Sequence, residues 1–305
     1  MIYEFAIDPA EVATWSSREK YGYVYNAFGI GTPRIVARLP KHWRRMVWDA
    51  FKGGTIDEQA RIEELLKAMG EKMIRRPIEV GDWDSDWLSA ILEEDKLTNF
   101  QAIISSSKDR VLDNLIGFED MNNLNKLWDI DVRVNFDRSA SEFARCFRPM
   151  LRLAEEIRFV DAHLKPHDLR HQAVSRALFK EIVANRSPDT VRVQFICQDS
   201  DQKPDWDTFS LRLNSWPDRV IPEGLAVEFI RLQENGRARF HDRFILTDIG
   251  GISLPDGLDE EDNPTPQGGR ATVMRRDEYE TEWQRYKNTT VDFNLEKTVN
   301  LFGRL

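Results

Sequence analysis

Cysteine is scarce in this chain: two residues in 305, Cys146 and Cys197, each inside an apolar stretch. That excludes a disulfide framework and a cysteine-built metal site, and fits reduced core thiols in a cytosolic protein. No stretch approaches the ~18 uncharged apolar residues of a membrane span. The opening "MIYEFAIDPAEV" has neither the basic start nor the apolar core of a secretory leader. No segment repeats at a fixed period. A basic surplus is also missing: the net charge is −9 and is spread evenly along the chain. A dedicated non-specific nucleic-acid binder is usually basic, so any such contact must come from a local patch. The same acidity disfavours an anionic membrane surface. These absences predict a cytoplasmic protein that does not use a membrane.

What is present is a chain long enough for two modest domains. Its texture changes near residue 140. Before that point, "MIYEFAI" and "NFQAIISS" (99–106) read as strands. Helical patterns dominate the rest: 57–74, where Ile62, Leu65, Leu66 and Met69 recur at helical spacing, then 87–95 and 110–118. After 140, helices at 141–156, 170–185 and 206–216 alternate with apolar strands at 157–164, 190–198, 225–232 and 239–248, and "GGISL" (250–254) forms a short strand. Such alternation predicts an α/β fold, a sheet covered by helices. Residues 255–270, polar, acidic and rich in proline and glycine, read as a mobile loop, and 277–288 as a last helix. The expected organisation is a mostly helical N-terminal accessory region, 1–140, and an α/β domain, 141–305, whose core can begin as early as 97.

"ARFHDRFILTD" (238–248) puts His241, Asp242 and Arg243 at the head of an apolar run and closes it with Asp248. Charge in such a strand needs a reason. Alternate residues of a strand share a face, so His241 and Arg243 point the same way, about 7 Å apart. A histidine beside a fixed cation suits phosphate chemistry: the guanidinium holds oxyanions, and neutral imidazole attacks phosphorus or shuttles a proton. Asp248 can orient an imidazole, but its parity turns it away from the His241 of its own strand. The bland reading is a satisfied cluster in which His241 and Arg243 pair with Asp242 and Asp248.

The spacing His241-x-Arg243-x4-Asp248 resembles the H-x-K-x4-D signature of the phospholipase D superfamily, with arginine in place of lysine. Gly250, Gly251, Ile252 and Ser253 follow where that family often has a Gly-Ser turn, although its asparagine is missing. The resemblance covers roughly 140–305. It implies a helix-covered mixed sheet like one lobe of that fold. It further implies phosphodiester cleavage without a metal or cofactor, through a phosphohistidine. His241 would be nucleophile or acid/base, Arg243 the phosphate clamp, Asp248 the orienting carboxylate and Ser253 a phosphate contact. Such chemistry uses two histidines, and the motif occurs once, so a homodimer with both motifs at its interface is expected. Nucleic acid is the favoured substrate, because no export or membrane signal points to a phospholipid. By analogy alone, soluble bacterial proteins of this type belong to anti-phage or restriction systems with partner subunits. The rival expectation is a non-catalytic module that keeps the fold and recruits a partner protein, nucleic acid or lipid.

Two further patterns carry histidines or clustered basic residues. His163 and Lys165 have H-x-K spacing, but Arg170 stands where aspartate is needed. This reads as a chance match that places Asp161 or His163 near the active cleft. His163, His167 and His171 are spaced four apart, yet Pro166 argues against a continuous helix carrying a metal site. "PRIVARLPKHWRR" (33–45) gathers Arg34, Arg38, Lys41, His42, Arg44 and Arg45 around Trp43. Arg38, Arg44 and Arg45 could track a nucleic-acid backbone while Trp43 stacks a base; the alternatives are a solvated face or a protein dock.

Overall fold

A computed structural model describes the whole chain except residues 71–72, 77–78, 84–85, 108–111, 185, 201, 241–242 and 288, and the side chains of 290 and 296. It divides into two compact units, Ile2–Asp131, and Val132–Leu305 together with Met1. The division precedes the expected 140/141 boundary because β6 (Arg133–Phe136) pairs with a late strand of the second unit.

The first unit is organised around a parallel sheet. Its strands are β1 (Tyr3–Ile7), β2 (Arg34–Ala37), β3 (Met73–Ile74), β4 (Ala102–Ile104) and β5 (Leu115–Ile116), in the order β3-β2-β1-β4-β5. Strand alternation splits its core in two. Phe5, Ile7, Val36 and Ile104 pack with α1 (Pro9–Ala13), α2 (Arg18–Val24), α3 (Trp43–Ala50) and α4 (Ile56–Gly70). Ala6, Ala37 and Ile103 pack with α5 (Trp87–Leu97). Helical residues outnumber strand residues, but the unit is built on a five-stranded sheet that the sequence reading did not anticipate. Its outer strands are two residues long, too short to show a period. The expected helix over 110–118 is instead β5 and a turn of 3-10 helix at Phe118–Asp120, with 110 and 111 outside the described residues. The helix expected over 57–74 stops at Gly70, and β3 follows.

The second unit carries β6, α6 (Ala140–Leu153), β7 (Glu156–Asp161), α7 (Leu169–Val183), β8 (Arg192–Asp199), α8 (Trp206–Leu213), α9 (Trp216–Arg219), β9 (Ala226–Glu234), β10 (Arg243–Thr247), β11 (Gly250–Ser253), β12 (Gly269–Val273), α10 (Arg276–Lys287), α11 (Thr289–Asp292) and β13 (Phe293–Phe302). Its mixed eight-stranded sheet has the order β13-β9-β8-β7-β10-β11-β12-β6. Strands β7, β8 and β9 are parallel and the remaining pairs antiparallel. Parallel neighbours need long crossovers, and α7 and then α8 with α9 supply them. The expected helix-covered mixed sheet is therefore present.

One row across the parallel strands is aromatic. Phe159, Phe195 and Phe229 stand in register with ring centroids 5.7 and 5.8 Å apart, backed by Phe179 of α7 and Trp216 of α9. Truncating one such ring to alanine costs roughly 3–5 kcal/mol. The next row, on the opposite face, is polar and linked by hydrogen bonds. Arg158 Nε donates to Gln194 Oε1 at 2.8 Å, and Gln194 Nε2 donates to Glu228 Oε2 at 2.7 Å. The Arg158 guanidinium lies 3.8 Å from the ring centroid of Trp283 in α10.

The sequence reading missed β13. Past the buried Phe293 its described side chains are exposed or half-buried, and its sequence carries Glu296 and Lys297. It therefore lacks the apolar run of the inner strands, and a bulge between Leu295 and Lys297 breaks its register against β9. Part of the presumed loop 255–270 belongs to β12, and the rest is tied down by Arg138, whose guanidinium reaches Asp259 at 2.6 Å and Glu261 at 3.2 Å. Among the described residues no helix is long and apolar enough to cross a membrane.

Candidate functional site

The parallel strands end together, at Asp161 of β7, Asp199 of β8 and Glu234 of β9. Because β10 runs antiparallel to β7, its first residue, Arg243, arrives at that same end and pairs directly with Asp161. Ligands of open α/β sheets gather at the carboxyl ends of parallel strands, where loop residues converge. His241 and Asp242, the head of the motif, lie outside the described residues.

Arg243 and Asp161 form the centre of the site. Opposed residues on neighbouring strands share a face, and Arg243 Nε stands 3.6 Å from Asp161 Oδ1. The Asp161 carboxylate is 1% exposed. Its Oδ1 accepts from the His163 amide at 2.8 Å and its Oδ2 from the Leu258 amide at 3.1 Å. The other end of the guanidinium donates to the Pro255 carbonyl. Gly257 makes this approach possible: its φ is +94°, and a Cβ there would lie 3.3 Å from Arg243 Cδ.

His163 and Lys165 follow β7 in an exposed turn, and α7 begins only at Leu169, so the three spaced histidines do not stack on one helix face. Burial, then Lys203 and Arg243, push the His163 pKa below its ordinary value, with Asp161 opposing. Its imidazole is therefore neutral at pH 7. His171, in the first turn of α7, is 3% exposed, and neither ring nitrogen has a hydrogen-bond partner among the described residues. Burial lowers its pKa against the pull of Asp161, Asp259 and Asp168.

Other expected residues go elsewhere. Asp248 sits at the far end of β10, about 17 Å from Arg243 at ~3.4 Å per residue. Its Oδ1 accepts from the Glu155 and Glu156 amides at 2.9 and 3.0 Å, fastening the start of β7 to the end of β10. Ser253 ends β11 at the Arg243 end of the sheet, but it opposes Phe244 and so lies on the other face. In the first unit, Trp43 is wholly buried and its Nε1 donates to the Ile7 carbonyl at 2.7 Å, which leaves no ring face for the stacking alternative. Arg34 is likewise engaged, with the Trp128 carbonyl 2.6 Å from Nη2. Arg38 donates to the Lys41 carbonyl at 3.0 Å, while Arg44 and Arg45 face solvent.

Sequence reasoning missed Lys203, which follows β8. Its ammonium is half-buried and has no hydrogen-bond or ion-pair partner among the described residues. Burial lowers its pKa, with Cys197 and Asp161 opposing. Nothing in "DSDQKPDW" marks this lysine. The H-x-K pair at 163–165 was the available signal for the β7 turn.

No family model and no curated protein matches this sequence. Among solved structures, the chain is similar to Nuc, a phospholipase D family member from Salmonella typhimurium. The sequences are 10% identical, the TM-score is 0.34, and the match covers 54% of this chain and 97% of that one.

Proposed function

We propose that this chain is a phosphodiesterase, a nuclease that works through a phosphohistidine on His241 and needs no metal. The observation carrying the reading is the Arg243–Asp161 pair at the carboxyl ends of the parallel strands, with Arg243 two residues after a histidine and Lys203 near enough to interact with both. In the first step the His241 imidazole attacks phosphorus. An N–P bond forms, a P–O bond breaks, and the leaving oxygen takes a proton from a second histidine. In the second step that histidine deprotonates water, which attacks phosphorus and releases the His241 nitrogen. Arg243 holds the non-bridging oxygens and offsets their developing charge. Asp248 acts through the backbone, by fixing β10 against β7. A second copy of the chain supplies the other histidine in a twofold dimer. A cytoplasmic role in anti-phage defence or restriction is part of this reading and rests on analogy alone.

One observation favours the rival, a non-catalytic binding module: Arg243 is already engaged by Asp161 and the Pro255 carbonyl. Purified protein and His241→Ala, incubated with DNA, RNA and an activated phosphodiester in excess chelator, separate the two. Chelator-resistant cleavage lost in a folded His241→Ala variant is expected. Cleavage that needs metal, or that survives the substitution, removes the proposed mechanism, and no cleavage of any diester favours the binding module.

A further inference from the structure

Two cavities, of about 330 and 340 Å³, open at the carboxyl ends of β7 and β8 and share Lys203, Pro204 and Arg231 in their walls. They adjoin across these three residues, and together they are termed the trough. The first is lined by Lys165, Lys203, Arg212 and Arg231, with His163 and His167, and no carboxylate is among its lining residues that the structure describes. In a chain of net charge −9 that is a local reversal of sign. Arg231 is already used: it pairs with Asp199, and its Nη1 donates to the Pro204 carbonyl at 2.8 Å. The ammonium of Lys165 and the guanidinium of Arg212, like Lys203, have no hydrogen-bond or ion-pair partner among the described residues.

The second cavity adds aromatic surface. Trp206 lies in its wall, stacked on Phe209 of the first cavity at 5.9 Å between centroids, with the Lys297 ammonium 5.9 Å from the Trp206 ring. Its two carboxylates are engaged: Asp199 pairs with Arg231, and Asp205 caps α8 by accepting from the Thr208 amide at 2.9 Å. Cations alternating with an aromatic face along a trough are what an unpaired strand requires. The cations track the phosphates and the ring stacks a base, which a duplex cannot offer without opening.

We infer that the trough is a binding site for single-stranded nucleic acid, in which Lys165, Lys203 and Arg212 hold backbone phosphates and Trp206 stacks a base. It runs up to the catalytic end of the sheet, since His163 lines it and its amide shares the Asp161 carboxylate with Arg243. The inference names the substrate class of the proposed nuclease, but the site binds whether or not the chain cleaves.

Binding is therefore measured in the His241→Ala background, by fluorescence anisotropy of a labelled oligothymidylate, a duplex of equal length, and heparin, a polyanion without bases. Oligothymidylate should bind tighter than the duplex. Lys203→Met with Arg212→Met should weaken oligothymidylate about tenfold and flatten its log–log salt slope by ~1.4, at ~0.7 per lost phosphate contact on a single strand. Heparin should weaken as well. Trp206→Ala should weaken oligothymidylate about tenfold, in line with the ~1–3 kcal/mol of a stacked base, and leave heparin unchanged. Arg192→Met, at the opposite end of β8, controls for net charge and should change neither. Duplex binding as tight as single strand, or oligothymidylate unaffected by the Lys203/Arg212 pair or by Trp206→Ala, overturns the inference. Binding as described, with a wild-type protein that cleaves nothing, sustains it and removes the nuclease reading instead.

Discussion

The two sheets finish their parallel strands in different ways. In the first unit the groups at the carboxyl ends are consumed locally. Asp8, just past β1, caps α1 and accepts from Ser105 Oγ at 2.6 Å, Trp43 takes the Ile7 carbonyl, and Arg38 takes the Lys41 carbonyl. In the second unit, groups of the same kinds are left partly unspent. Among the described residues, both nitrogens of His171 lack hydrogen-bond partners, Lys203 has no counter-ion, and Arg243, though ion-paired with Asp161, has no hydrogen bond at Nε. Satisfied polar groups hold a fold together, whereas cations left over at strand ends cost stability unless a ligand completes them. That difference, more than strand number or order, is why chemistry is assigned to the second sheet.

The contrast is testable through one aspartate in each unit. Asp161→Ala strands Arg243 and two backbone amides, so it should cost about 3–5 kcal/mol, as when one partner of a buried pair is removed. Asp8→Ala removes a cap and a hydroxyl bond, and should cost only ~1–2 kcal/mol. Urea unfolding of the two variants gives the ranking, and an Asp8→Ala loss equal to that of Asp161→Ala would erase the contrast. The basic patch of the first unit comes next. Neutralising Arg38, Arg44 and Arg45 together should weaken nucleic-acid binding by less than the trough variants do, and flatten its salt slope by at most ~2. Unchanged binding would make the patch a solvated face or a protein dock.

Smallest is an opposite response to acid. Burial raises the pKa of Glu4 and Asp8, so the native first unit takes up protons before the unfolded chain does. These two groups add stability as pH falls through their native values. His171 in the second unit is held below its ordinary value of 6.5, so there the unfolded chain binds the proton first, and stability drains away as pH falls through that value. Comparing melting temperatures at pH 7.5 and 5.5, His171→Leu should lose a few degrees less than wild type on acidification. An equal loss in both would assign the acid sensitivity to some other group.

The sequence was most legible where burial is most regular. Strands β7, β8, β9 and β11 and helices α6, α7 and α10 follow from apolar runs and helical periods, because their residues pack against a wide sheet on a fixed face. Legibility failed at short elements and exposed edges: β3 and β5 have two residues each, and β13 is an edge strand with little buried surface. At the site, Arg243 stood out because charge at the head of an apolar run needs a reason. Asp161 was noticed only through its neighbour His163, and Lys203 not at all, since register and crossover bring them to Arg243 and no local spacing encodes either. Trp43 admitted two readings, core or stacking surface, because local sequence does not say that its helix turns the ring inward and Arg44 and Arg45 outward.

The pairing of Asp161 with Arg243 also has a bearing on how the molecule is made. Closing a chain segment of about 80 residues carries an entropic cost of ~4 kcal/mol, by the logarithmic loop law. Two helical crossovers and two whole strands lie inside that segment, so no local fragment holds both residues. High contact order of this kind slows folding. It also delays competence: a chain still emerging from the ribosome has no assembled cation cluster until β10 is out and docked on β7.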